Sequence, residues 1–176
     1  MCFKRARPAG RIGAAPAARS IGTAGWQPVT GCLVRPHRDR RSALQSAHRN
    51  HEDAHRWFGR NRKHGWATCP IAINGCIRVL SNPAYPTVEA TPAEVAVRLR
   101  SFCSTTDHHF WEDSVALTDE SLFRLSTIGG HQKIADTYLL GLAVRNHGRL
   151  ATFDRSIPLK AVQGAGPGNF VLIGSV

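Results

Sequence analysis

The sequence predicts an α/β protein in three layers, with helices on both faces of a central parallel sheet. Three observations carry this. Residues 130–154, GHQKIADTYLLGLAVRNHGRLATFD, read as a helix, a stop and a buried strand. Other short apolar runs alternate with stretches of helical spacing, the pattern of strands joined by crossover helices. A length of 176 residues holds one such domain with a real core and is short for two.

Residues 1–47 stand apart. Ala, Gly, Pro and Arg make up about half of the first fifty residues, with no sustained period of 3.6 or 2. Val29 to Val34 is the only segment with strand character, and Gly31 interrupts it. The expectation is an irregular basic segment over 1–47 and a folded domain over 48–176, its first strand degraded or missing. The segment lacks the apolar stretch of a secretory signal. Its Arg-rich, acid-poor composition resembles a transit peptide, yet Pro8, Pro16 and Pro28 oppose the amphipathic helix such peptides use.

The body is better patterned. His51 to Lys63 is an amphipathic helix with Asn50 as N-cap and Glu52 and Asp53 at its positive end. Trp66 to Cys69 is a short buried strand, and Pro70 fits the first position of a helix that Ser81-Asn82-Pro83 ends. Thr91-Pro92-Ala93-Glu94 spells a capping box opening a helix to about Phe102. His109 to Glu112 reads as a strand, and Thr118 or Asp119 as the cap of a short helix carrying Leu122, Phe123 and Leu125. Gly129-Gly130 is a hinge before the helix of Ile134, Tyr138 and Leu142. Asn146-His147-Gly148 stops that helix, Arg149 to Phe153 is a strand, and Phe170 to Ile173 is the last.

The net charge of +11 is uneven. Residues 1–50 hold ten Lys/Arg and one acid, whereas residues 51–176 hold thirteen and eleven. Basicity thus describes the N-terminal segment and says little about nucleic-acid binding by the body. No run of about 18 apolar residues marks a membrane span. Five cysteines without a CxxC pair fit free thiols in a reduced, cytoplasmic protein.

Two acids are the chemical candidates. Asp136 lies in the first turns of its helix, and Asp154 follows the end of a strand, where open α/β sheets bind ligands. Mg²⁺ takes one or two carboxylates plus substrate oxygens, so two acids can suffice once substrate is bound. The competing reading is that the helix dipole favours Asp136 and that Asp154 caps a turn. Spacing alone fits either. His48, His51 and His55 lack an HExxH arrangement and read as surface residues, and Trp57, Trp66 and Trp111 read as core. Nucleophile elbows and phosphate-cradling glycine loops are absent from the sequence.

With HEDAHRWF, WATCP, RVLSNPAYP, HHFWED and GHQKIADTYLLGLAV…GRLATFDR in that order, the body resembles PIN-domain ribonucleases. The resemblance is closest to the VapC-type toxins of bacterial toxin–antitoxin pairs, and it runs from about Asn50 to Ile173. It implies a PIN-like α/β/α fold and Mg²⁺- or Mn²⁺-dependent cleavage of RNA, with Asp136 and Asp154 as metal ligands. In that chemistry a metal-bound water attacks phosphorus and no protein nucleophile is needed. It also implies a cognate antitoxin as partner, with a homodimer as a further possibility.

The chain departs from the family pattern twice. The family's helical Glu falls at Ile73, in PIAINGCIRVLS, and Asn74 points about 100° away around the helix. The first strand with its Asp has no match, and LVRPHRDRRSALQSA (33–47) stands in its place with Asp39 as its only acid. A coding frame shifted before about His48 would account for that segment. The alternative to an active toxin is an inactive remnant that only binds an antitoxin or a like subunit.

Overall fold

The computed structural model describes residues 29–30, 52–83 and 90–174, the first pair by backbone alone. The strands are β1 (Val29–Thr30), β2 (Trp66–Thr68), β3 (His108–Phe110), β4 (Leu150–Thr152) and β5 (Phe170–Leu172). The helices are α1 (residues 52–61), α2 (Pro70–Leu80), α3 (Pro92–Cys103) and α4 (Ile134–Arg145). Every pair of these strands that bonds is parallel, in the orders β1-β4-β5 and β2-β3. Val29 pairs with Leu150, Trp66 with His108, and Leu150 with Phe170. The expected boundary at 47/48, the Asn50 cap, Asp39 and the segment attributed to a shifted frame lie outside the described residues. β1 occupies the first two positions of the Val29–Val34 segment.

Local signals set several of these elements. α2 opens on Cys69 with Pro70 at its first turn, and Ser81 closes it through bonds to Ile77. Pro70 suits that place because its missing N–H has no intrahelical partner there. α3 has the full capping box: Glu94 N donates to Thr91 Oγ1, and Thr91 N donates to the Glu94 carboxylate at 2.8 Å. The expected His109–Glu112 strand is displaced to His108–Phe110, because pairing with Trp66–Thr68 begins at His108. His108 is also tied to β2 by its side chain, with Nε2 2.8 Å from Thr68 Oγ1 and its ring 4.5 Å from that of Trp66.

The short helix expected after Thr118 or Asp119 does not form. Asp119 does nucleate a turn, accepting from Ser121 N and from the backbone N–H groups of Leu122 and Phe123. The next backbone groups are then spent elsewhere. Arg124 N donates to Ala161 O, Gln163 N donates to Leu122 O, and Phe123 bridges antiparallel to Val162. A helix needs those same groups for its own ladder, and tertiary pairing wins.

α4 is the centre of the core. Residues from Asp136 to Ala143 are buried on all sides of the helix, which marks an element enclosed by protein. Leu139, Leu140 and Leu142 pack with Trp111, Phe123 and Leu150. Its end is a Schellman motif: Gly148 N donates to Ala143 O and His147 N to Val144 O. The left-handed residue there is His147, at φ 53°, instead of the glycine. Gly148 serves a different purpose, since a Cβ there would stand 2.4 Å from the Trp111 ring.

Among the described residues, Cys69, Cys76 and Cys103 are not in disulfides. Trp66 and Trp111 are core residues and Trp57 is half-buried. Among the described residues, no helix is long and apolar enough to cross a membrane.

Candidate active site at the start of the core helix

The chain enters α4 through Gly130, whose φ of 143° suits glycine, and a single 3₁₀ turn, His131–Lys133. Lys133 is fixed at its backbone by donation to Gly130 O, and its own carbonyl accepts from Thr137 Oγ1 at 2.8 Å. Asp136 follows in the first turn of α4, only 7% exposed. A carboxylate there is favoured by the positive end of the helix dipole.

Asp154 arrives from the other side. β4 is buried at Leu150 and Ala151, and Asp154 lies two residues beyond its last position. Its backbone N–H donates to Thr152 Oγ1 at 3.0 Å. Its Oδ1 accepts from Ser156 N at 2.7 Å and from Ser156 Oγ at 2.6 Å, an Asx turn. Its Oδ2 accepts from the Lys133 ammonium at 2.6 Å. That ammonium also reaches Ser156 Oγ. Partial burial opposes the charged carboxylate, but Lys133 and Ser156 more than offset it and hold the Asp154 carboxyl down at about 2.

Asp136 thus lies in the first turn of α4, and Asp154 is bonded to Lys133, the residue that leads into that helix. The position of the family's Glu, Ile73, is half-buried in α2, and Asn74 is exposed. Among the described residues, no group of three or more His, Cys, Asp or Glu side chains gathers as a metal site.

Sequence reasoning missed Lys133, Ser156 and a second polar pair. Tyr138 Oη donates to Asp113 Oδ1 at 2.7 Å, linking α4 to the loop after β3. Burial raises the Tyr138 hydroxyl well above its ordinary value, and Asp113 adds to the effect. Burial likewise pushes the Cys69 thiol up, with the Asp113 charge contributing. The sequence did hold signals for the first group. Asp-x-Ser at 154–156 is an Asx-turn pattern, and Lys133 stands one turn before a buried acid.

The fold and site define an α/β protein with parallel strands and two acids at the start of a buried helix. Comparison with known proteins is consistent with that description. Ribonuclease VapC44 of Mycobacterium tuberculosis is 38% identical over 122 residues, 69% of this chain and 85% of that protein. Ribonuclease VapC39 of the same organism is 37% identical over 117 residues, covering 66% and 84%. Ribonuclease VapC38 is 33% identical over 111 residues, covering 63% and 77%. No family model matches the chain. The chain belongs to the VapC ribonuclease family.

Proposed function

We propose that this chain is the toxin of a type II toxin–antitoxin pair, an endoribonuclease by descent, held by a cognate antitoxin in the cytoplasm. The observation that carries the reading is the buried Asp136 at the start of α4, in a chain 38% identical to a VapC ribonuclease. The three-layer arrangement with one central sheet is part of this proposal. β1 and β2 lie side by side, which supports a strand order β3-β2-β1-β4-β5.

Mg²⁺, or Mn²⁺ in its place, is the ion this reading assigns to the reaction, with Asp136 and Asp154 as its acids. The donors on hand do not fit a resident divalent ion. Ile73 offers no ligand, and Asp154 already carries an ammonium. The same two observations favour a second reading, a binding subunit that cleaves RNA weakly or not at all. Supplying Mg²⁺ or Mn²⁺ to the purified chain with a mixed RNA pool, beside Asp136→Asn, tests both. Metal-dependent cleavage lost in the variant supports the nuclease. A folded chain that leaves RNA intact yet binds its antitoxin supports the second reading.

A further inference from the structure

We infer that Lys133 is a built-in cation that occupies Asp154 and keeps divalent ions off it. The inference concerns the site of the proposed nuclease and rests on that reading only for the site's location. The ammonium sits 2.6 Å from Asp154 Oδ2 and bonds to Ser156 Oγ as well, while Oδ1 is filled by Ser156 N and Oγ. Three donors thus hold a carboxylate that has about four acceptor positions. The pair is half-buried, with side-chain exposures of 21% for Lys133 and 30% for Asp154.

Position makes this more than a surface ion pair. Lys133 is the residue that leads into α4, and its backbone is held on both sides, by Gly130 O and Thr137 Oγ1. A lysine at a helix N-terminus is disfavoured by the dipole, and the bond to Asp154 offsets that cost. A divalent ion binding Asp154 at about 2.0–2.1 Å would have to displace the ammonium or bear its repulsion at close range. One turn into the same helix lies Asp136, the other acid of the proposed site. Asp154 is neutralised from within its own chain, in a sequence whose match to the family's helical Glu is Ile73.

The test is a titration of Mn²⁺ alone against the full chain, reading free ion by electron paramagnetic resonance. Wild type, Asp154→Asn, Lys133→Met, Lys133→Gln and Lys133→Met/Asp154→Asn are compared, each shown folded by a cooperative melt. Wild type is expected to leave millimolar Mn²⁺ free. Lys133→Met or Lys133→Gln is expected to take up one ion at least tenfold more tightly, and the double variant to lose it. Wild-type binding that disappears in Asp154→Asn overturns the inference. So does a folded Lys133 variant that binds no better than wild type. Because no RNA is present, either failure leaves the nuclease reading intact, and an inactive nuclease leaves this measurement standing.

Discussion

Phe123 lies against Gly141 so closely that a Cβ at position 141 would stand 2.3 Å from the ring's Cζ. The glycine in the middle of α4 is there to admit the ring. Gly141→Ala would ordinarily gain about 1 kcal/mol of helix propensity. Here the overpacking costs about 1–3 kcal/mol, so a net loss is expected. Denaturant melts check this, and Phe123→Leu in the same chain should recover part of the loss. Gly75 in α2 is the contrast, with nothing within 4 Å of its would-be Cβ. Gly75→Ala should stabilise by about 0.5–1 kcal/mol.

The Schellman end of α4 predicts opposite outcomes at adjacent residues. His147→Gly removes a left-handed non-glycine and should stabilise by about 1 kcal/mol, raising the melting temperature by a few degrees. Gly148→Ala drives a methyl into Trp111 and should lower it. Thermal melts of the two variants decide the matter.

The capping box of α3 should be separable from the core. Thr91→Ala removes the acceptor for Glu94 N and the hydroxyl donor to Glu94, at a cost of about 1 kcal/mol. Hydrogen exchange should show the loss concentrated in the first turn of α3, with α4 protected as before.

Asp154 predicts an acid limb. Its folded carboxyl is depressed to about 2 from an ordinary 3.8, so the native state binds its proton later than the unfolded chain. The resulting stability is fully present above the unfolded value and is lost as pH falls through about 4 towards 2. Since the pair is partly exposed, its worth is on the order of 1 kcal/mol after screening. Asp154→Asn should flatten the stability profile over that window and leave it unchanged in shape near neutral pH.

Tyr138 predicts a silent phenol. Its hydroxyl is buried and bonded to Asp113, so ionisation is delayed well beyond that of an exposed tyrosine. In a Tyr85→Phe background, the phenolate absorbance should appear only as the chain unfolds in alkali. Tyr138→Phe should cost about 0.5–1.5 kcal/mol by removing the bond.

What could be read from sequence follows the range of the interactions involved. The capping box at Thr91 and the proline entry to α2 are settled within four residues, and both appear where expected. Asp119 offered an equally good local start. Its helix is lost because Leu122 and Arg124 bond to residues some forty positions later, which no local pattern encodes. At the helix stop the motif was legible and the roles were exchanged, since the Trp111 ring claims Gly148 and leaves the left-handed turn to His147. Asp136 and Asp154 were legible as acids at the ends of elements. The ammonium on Asp154 was not, because Lys133 meets Asp154 only when β4 docks beside α4.

The parallel pairing of Val29 with Leu150 also constrains how the molecule is made. A chain elongating from its N-terminus presents β1 before α1, α2, α3 and α4 exist, and its partner β4 emerges after all of them. Closing that pair spans most of the polypeptide, a contact whose loop entropy is met late in folding. Until then β1 has only β2 beside it, and the edge that β4 takes is open. A chain truncated before Leu150 lacks the strand that hydrogen-bonds to β1.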